Sequence, residues 1–223
     1  MRASRLMLLM GGAVSGAMRL LAGKTSGMAI DFRDGSMVIR DAATPANNFV
    51  GRYLDKLTIN GSLPPNPLGA LTSDTNNATI AVSAMPFSAT EGSLAIECTP
   101  TSIDSVVATP RVCSFNDGTT SNIIDIRLSN TNSPDNYVFQ VQDGGAGQCS
   151  LTSGEANISG NSMFAGWKAN DFAFSVVGGT PNTDGAGSIP TVTRFDIGYA
   201  SHLANRGFAG RIKTLLYVPL RTG

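Results

Sequence analysis

Short segments in which apolar and polar residues alternate recur along this chain of 223 residues, and clusters of turn residues separate them. Alternation with a period of two is typical of a β-strand with one buried face. Asn116-Asp117-Gly118 and Gly144-Gly145 are turn signals between such segments. Several short strands at this spacing predict a two-sheet antiparallel sandwich. The predicted strands are Thr79 to Ala84, Leu94 to Cys98, Val106 to Phe115, Ile123 to Leu128 and Tyr137 to Gln142.

The last third of the chain carries three further strand-like segments in a fixed order. Trp167 to Val176 leads through turns to Ile189 to Gly198, and Gly210 to Pro219 follows near the end. In order and spacing, these segments resemble the closing strands of the concanavalin A-like, or laminin-G-like, jelly roll found in virion proteins of tailed phages. The resemblance covers roughly residues 90 to 219. It implies an all-β fold, namely a two-sheet antiparallel jelly-roll sandwich.

Residues 1–27 have a different character, with a basic start and a short apolar stretch. This start imitates a secretory signal cleaved after Ala17. The apolar run is too short for a membrane span, which needs about 20 residues. Its apolar residues recur at helical spacing, and two glycines give a small-residue face that lets another backbone approach. We therefore interpret the segment as an N-terminal anchoring helix that binds another protein. The predicted anchor residues are Leu6, Met10, Gly12, Ala13, Gly16, Ala17 and Leu20.

The rest of the chain is predicted to divide into two parts. Residues 28–78 are expected to form an extended arm or linker, with short strands at Met37 to Arg40 and Leu57 to Asn60. Proline cannot lie within a central strand or a helix, so the proline cluster at 61–67 indicates a stiff connection. Residues 79–223 are then expected to form the jelly-roll domain.

The charges of the chain balance, because 16 Lys and Arg residues accompany 16 Asp and Glu residues. No global field attracts nucleic acid or an anionic membrane, so neither is expected as a partner. The cysteines Cys98, Cys113 and Cys149 show no metal-binding spacing. Buried free thiols are favoured over a Cys98–Cys113 disulfide, which needs neighbouring strands with close Cα atoms. We expect no metal and no cofactor.

The sequence offers no pattern for catalysis. Glucanases of the wider concanavalin-like fold carry two carboxylates on one strand as acid and nucleophile. This chain has no Glu-x-Asp-x-x-Glu pattern, since Glu91 and Glu97 stand six apart without an Asp between them. A Gly-x-Ser-x-Gly nucleophile motif is also absent. The chain is therefore predicted not to be an enzyme.

Two loops rich in Asn and Asp offer oxygen atoms to a glycan or to Ca²⁺. The candidate residues are Asn116 and Asp117 in one loop and Asn182 and Asp184 in the other. The same residues are typical of hairpin turns, because Asn-Gly and Asp-Gly sequences tolerate positive φ, and the turn interpretation is favoured. Trp167, the only tryptophan, is expected in the core and not as an exposed platform for sugars.

These features support two hypotheses. In the first, the chain is a non-enzymatic structural protein of a tailed-phage or prophage virion. Its N-terminus would bind capsid, portal or tail components, and the sandwich would point outward as a decoration, fibre or receptor-binding component. In the alternative, the chain is a secreted or cell-surface glycan-binding, lectin-like module. A host surface glycan is an additional candidate partner in the first hypothesis and the defining partner in the alternative.

The chain is also expected to act as a homo-oligomer. Ile123 cannot share a strand face with Ile124, Ile126 and Leu128 together, so one sheet face needs a further cover. A neighbouring subunit of a symmetric assembly is the predicted cover.

Overall fold

A computed structural model describes residues 26–31, 36–40, 49–52, 58–60, 77–100, 109–129, 136–155, 160–176, 179–199, 207–208 and 210–221. Within these residues the chain forms 15 β-strands and one short 3-10 turn, Val82–Ala84. The strands make two antiparallel sheets. No helix in this part of the chain has the length and hydropathy that a membrane crossing requires.

One sheet has eight strands and the other has seven. The eight-stranded sheet contains, in spatial order, β13 (Asn182–Asp184), β12 (Asp171–Val176), β11 (Asn161–Lys168), β6 (Glu91–Pro100), β15 (Gly210–Val218), β1 (Gly27–Asp31), β2 (Ser36–Arg40) and β3 (Phe49–Arg52). The seven-stranded sheet contains β10 (Ala146–Glu155), β9 (Asn136–Asp143), β8 (Ile123–Ser129), β7 (Arg111–Asn116), β14 (Arg194–Ile197), β5 (Asn77–Ala81) and β4 (Thr58–Asn60). Two antiparallel sheets of this kind form a concanavalin A-like, laminin-G-like jelly-roll sandwich, which confirms the predicted fold.

The inner faces of the two sheets enclose a core with many large aromatic side chains. Trp167 on β11 is fully buried, and its ring centroid lies 6.0 Å from that of Tyr217 on β15 and 5.6 Å from that of Phe115 on β7. Phe195 on β14 stacks on Phe115 with 4.0 Å between the centroids. The strand period of two directs these side chains inward from both sheets. The core position predicted for Trp167 is therefore confirmed.

All three cysteines are free and buried, as predicted. Burial raises the pKa of the Cys98 thiol and of the Cys149 thiol to about 12 in each case. Burial, together with the nearby Asp125 carboxylate, also raises the pKa of Cys113 well above its ordinary value. A thiol in such an environment is a small apolar core group and not a nucleophile.

The strands near the N-terminus differ from the predicted arm. β1 pairs with β15 on one side, with Met28 opposite Tyr217, and with β2 on the other. β4 pairs with β5, and β5 spans residue 79, where the domain boundary was predicted. The strands that the structure describes within 28–78 therefore belong to the two sheets of the sandwich. The predicted anchor at 1–27 lies, except for Ser26 and Gly27, outside the described residues, and so does the proline cluster.

Other strand predictions need correction. The strand predicted from Thr79 ends at Ala81, and the one predicted from Ile189 begins only at Arg194. The segment Trp167 to Val176 is not one strand, because a turn at Ala169-Asn170 separates β11 from β12. Asn170 has a φ of 60°, and Asn tolerates this left-handed conformation better than most residues. Asn182 to Asp184, predicted as a turn, forms the edge strand β13.

Candidate functional site

Several connections meet at one end of the sandwich. On the seven-stranded sheet, Arg194 lies opposite Asn116, Asn116 opposite Ile123, and Ile123 opposite Gln142. This register brings the connections 117–122, 144–145 and 185–193 to the same end. The 3-10 turn and the residues after it belong to this end as well, because the Val82 amide donates to the Thr193 carbonyl at 3.0 Å. We call this surface the loop end.

Hydrogen bonds between different connections fix the backbone of the loop end. The Gly145 amide donates to the Ser121 carbonyl at 2.9 Å, and the Gly144 amide donates to Asn122 Oδ1 at 3.0 Å. These two bonds join the β7–β8 turn to the β9–β10 turn. Loops held by mutual hydrogen bonds lose little entropy when a ligand binds.

The connection from β13 to β14 is bonded to two other turns. The Ser188 amide donates to Gln148 Oε1 at 3.0 Å, and Ser188 Oγ donates to Asp143 Oδ2 at 2.5 Å. The Gly187 amide donates to Asn170 Oδ1 at 3.1 Å, while the Asn170 amide donates back to the Gly187 carbonyl at 2.9 Å. The loop end is therefore one bonded unit and not a set of independent loops.

Asp117, a predicted glycan residue, organises its own turn. Its Oδ1 accepts hydrogen bonds from the Thr119 amide at 2.8 Å and the Thr119 hydroxyl at 2.7 Å. Its Oδ2 accepts a hydrogen bond from Asn122 Nδ2 at 2.7 Å. These bonds, led by the one from Asn122, lower the pKa of Asp117 below its ordinary value. The carboxylate is ionised at neutral pH and already has protein donors on both oxygens.

The other predicted loop, which contains Asn182 and Asp184, lies along an open sheet edge. The Asn182 side-chain amide donates to the Thr152 carbonyl on β10, the edge strand of the opposite sheet. Asp184 Oδ1 accepts a hydrogen bond from the Ala186 amide at 3.1 Å. Asn182 thus blocks a carbonyl that could otherwise pair with another chain. The geometry gives both residues local structural partners.

Asn116 lies on the outer face of the seven-stranded sheet and is fully buried. Its Nδ2 donates to Asp196 Oδ2 at 2.9 Å, and its Oδ1 accepts from Arg194 Nε at 2.8 Å and from the Gly118 amide at 3.0 Å. Thr79 Oγ1 donates to the other oxygen of Asp196 at 2.8 Å. A side chain with this burial and these bonds positions its neighbours and does not touch a ligand.

Arg194 was not among the residues singled out from the sequence, although Arg194-Phe195-Asp196 alternates as a strand should. Arg194 and Asp196 point outward while Phe195 points into the core. The contact between Arg194 and Asn116 spans 78 residues of sequence. No local pattern indicates such a pairing, since it depends on β7 and β14 being neighbours.

A row of polar residues crosses the outer face of the same sheet. Its members lie opposite one another in register: Thr79, Asp196, Ser114, Asp125, Gln140 and Ser150. The two carboxylates in the row, Asp125 and Asp196, are each only 1% exposed. Asp125 Oδ2 accepts from Arg111 Nε at 2.9 Å, and Asp196 accepts from Thr79 and Asn116. Two carboxylates this enclosed cannot flank a glycosidic bond as acid and nucleophile.

A metal site does not emerge from the part of the chain that the structure describes, where no three His, Cys, Asp or Glu side chains are grouped closely enough to hold an ion. The oxygen atoms of Asp117 are instead occupied by the donors of its own turn.

Comparison with known proteins identifies the fold but no family. No family model and no curated sequence matches the chain. Among solved structures, botulinum neurotoxin type C is similar with a TM-score of 0.59 and 9% identity, over 89% of this chain and 49% of that chain. The binding domain of botulinum neurotoxin serotype D/C VPI 5993 is similar with a TM-score of 0.60 and 10% identity, over 89% of this chain and 50% of that chain. The CBM40 domain of a Ruminococcus gnavus sialidase has a TM-score of 0.49 and 14% identity, over 61% of this chain and 79% of that chain.

These likenesses concern architecture. About one residue in ten is identical between the toxin chains and this protein, so what they share is the jelly-roll sandwich. The chain spans about half the length of the toxin chains that it matches. The class that fold and site together define is a concanavalin A-like, laminin-G-like jelly roll with a bonded polar loop end.

Proposed function

We propose that this chain is a non-catalytic glycan-binding module whose recognition surface is the loop end. The observation that carries the proposal is the network of hydrogen bonds that joins the turns at Asn122, Gly145, Asn170 and Ser188 into one unit. Glycans present many hydroxyl groups, and a binding site gains specificity from polar groups held in fixed positions. The loop end supplies such groups on a rigid scaffold.

The comparison supports this proposal only through the fold. Botulinum neurotoxin type C is described as depending on two ganglioside molecules for cell entry. A related toxin binding domain is described in complex with SialylT. Jelly-roll folds carry different functions on different sites, so the assignment to this chain depends on its own loop end.

We further propose that the module is displayed on a tailed-phage or prophage virion, which gives it a virion location. The support is the resemblance of the closing strands, Trp167 to Val176, Ile189 to Gly198 and Gly210 to Pro219, to those of virion jelly rolls. The apolar residues of the N-terminal segment would attach it to capsid, portal or tail components. Many copies, or a homo-oligomer, would then present the loop end to the host surface.

A glycan array probed with the full chain tests the binding function. The expected result is binding to one class of host-surface glycan and no cleavage of any polysaccharide. The double variant Asp117→Ala/Asp184→Ala should weaken binding, since both carboxylates hold backbone amides of the loop end. Glu97→Ala, on the outer face of the eight-stranded sheet beside Lys213, is the control and should bind normally. Absence of binding to every glycan would contradict the proposal, and measured hydrolysis would contradict its non-catalytic part.

The virion proposal has a separate test. Leu6→Asp and Met10→Asp in the full chain should prevent incorporation into particles without altering glycan binding. Particles that incorporate the double variant at the normal level would contradict attachment through this segment.

A further inference from the structure

The guanidinium of Arg194 is hydrogen-bonded through Nε and leaves its two terminal nitrogens open. Its Nε donates to Asn116 Oδ1 at 2.8 Å, and Asn116 is fully buried. Within the described residues, neither terminal nitrogen of Arg194 has a hydrogen-bond partner, and the side chain is 31% exposed. The guanidinium is therefore positioned by the sheet, while the edge that carries Nη1 and Nη2 is available.

The positive charge of this group is only partly compensated. Asp196 Oδ2 lies 3.8 Å from Arg194 Nε, beyond hydrogen-bond distance. Asp196 receives its own hydrogen bonds from Thr79 at 2.8 Å and Asn116 at 2.9 Å. The nearest acceptor of Arg194 is thus a neutral amide oxygen. A guanidinium in this situation retains the ability to form a charge-assisted pair.

Small residues leave the open edge accessible. Ala81 lies opposite Arg194 on β5 and is exposed. On the other side, a Cβ atom placed on Gly118 would lie 3.1 Å from Nη2 of Arg194, and Gly118 has a φ of 96° that favours glycine. The exposed residues Thr119 and Thr193 lie on the two connections that flank the group, and the Thr119 hydroxyl already donates to Asp117 Oδ1 at 2.7 Å. An exposed threonine next to the arginine in sequence suits a ligand that combines sugar hydroxyls with an acid.

We propose that Arg194 binds the carboxylate of an acidic sugar at the rim of the loop end. This inference rests on the proposed glycan-binding function and names the chemical class of the glycan. A planar guanidinium binds a carboxylate through two parallel hydrogen bonds, and the free Nη1–Nη2 edge has that geometry. Asn116 acts as a positioning residue, because it accepts the hydrogen bond of Nε and leaves the outer edge free. Asp196 acts through Asn116, from whose side-chain amide it accepts a hydrogen bond at 2.9 Å.

Titration of the full chain with matched acidic and neutral oligosaccharides tests the proposal. The first pair is sialyllactose and lactose, which tests a sialic acid as the source of the carboxylate. The second pair is trigalacturonate and galactotriose, which tests a uronic acid. Calorimetry should show at least about tenfold tighter binding of one acidic member than of its neutral partner, which equals about 1.4 kcal/mol. Arg194→Gln should remove this preference and leave the weaker neutral binding in place.

Two further variants complete the design. Arg211→Gln removes an exposed arginine from β15 of the other sheet and should retain the full preference. Arg194→Lys keeps the positive charge but removes the planar pair of N–H donors, so most of the preference for the acidic sugar should be lost. In the unaltered protein, the Nε–H resonance of Arg194 should shift with the acidic ligand alone, which covers the case of an unstable Arg194→Gln variant.

The outcomes separate this inference from the function on which it rests. Equal affinity for acidic and neutral partners, or an unchanged preference in Arg194→Gln, would overturn the role of Arg194 and leave glycan binding intact. Preference for inorganic phosphate over both carboxylated sugars would show that the edge binds anions without recognising a sugar acid. Absence of binding to all four oligosaccharides and to every glycan of the array would overturn both proposals.

Discussion

Asn116 on β7 donates a hydrogen bond to Asp196 on β14 at 2.9 Å, and both side chains are almost completely buried on the outer face of the seven-stranded sheet. The same amide group accepts from Arg194 and from the backbone of Gly118. One side chain therefore links the sheet, the first turn of the loop end and the guanidinium at its rim.

We expect Asn116→Ala to destabilise the protein by about 2 to 3 kcal/mol, because it removes one donor to the buried Asp196 carboxylate and the acceptor of Arg194 Nε. Urea unfolding monitored by tryptophan fluorescence measures the change. Thr120→Ala, in the exposed part of the same turn, is the control and should change stability by less than about 0.5 kcal/mol. A loss below 1 kcal/mol in Asn116→Ala would show that the network is not a determinant of the fold.

The β7–β8 turn should make stability depend on pH through Asp117. Its pKa is lowered in the folded state, mainly by the hydrogen bond from Asn122 and then by those from Thr119. The stabilisation is therefore complete above the unfolded pKa of about 3.9 and is lost as pH falls through the lower folded value. The wild type should be more stable than Asp117→Asn at pH 6, and the difference should shrink below about pH 4.

The carboxyl ¹³C resonance of Asp117 measures the same effect directly. Its titration midpoint should lie below the value of an unperturbed Asp, about 3.9. Asn122→Ala removes the donor at 2.7 Å and should move the midpoint upward. A midpoint that does not respond to Asn122→Ala would show that the bond does not persist in solution.

The sequence was sufficient for the strands whose alternation and turns are local. β8 begins at Ile123, where the sequence predicts it, because turn residues precede a run with one apolar face. β10 was not predicted, since it is an edge strand in which Cys149 and Leu151 are the large apolar residues that face the core. β1 was not predicted, since Gly27 fell in the predicted anchor and the rest of the strand in the predicted linker, and pairing with β15 and β2 makes it a strand.

The site was less predictable than the fold for a physical reason. The candidate pair Asn116 and Asp117 was found from its turn sequence, and the structure places one in the sheet network and the other in the turn. Arg194 comes next to Asn116 only through pairing between strands that lie 78 residues apart. Ile123 was expected to require a neighbouring subunit, yet it is 2% exposed in the single chain. Its burial therefore gives no support to an oligomer, which stays a prediction.

The cysteines should be unreactive in the folded protein. Burial raises the pKa of Cys98 and Cys149 to about 12, so almost no thiolate is present at pH 8. A thiol-specific chromogenic reagent should label none of the three residues within minutes under native conditions. In denaturant, three equivalents should react at once, since no disulfide is present. Rapid native labelling of one residue would show that its part of the core opens readily.

Gly92 on β6 lies opposite Trp167 on β11 and leaves no room for a Cβ atom. A Cβ atom at Gly92 would lie 2.5 Å from Cζ2 and 2.7 Å from Cε2 of the indole, and 3.0 Å from Cε2 of Tyr217. Both rings are fully buried between the sheets, so neither can move without displacing its neighbours. We expect Gly92→Ala to destabilise the protein by about 3 kcal/mol, at the upper end of the usual cost of overpacking a core.

A matched glycine and a second substitution make this prediction specific. Gly147 also lies in a strand but is exposed with no atom within 4 Å of its Cβ position, so Gly147→Ala should be neutral or stabilise by up to about 1 kcal/mol. Trp167→Phe removes both indole atoms that approach Gly92, although it loses packing by itself. In a double-mutant cycle by urea unfolding, Gly92→Ala should therefore cost at least about 1 kcal/mol less in the Trp167→Phe background. An identical cost in both backgrounds would show that backbone strain, and not the indole, excludes a side chain at position 92.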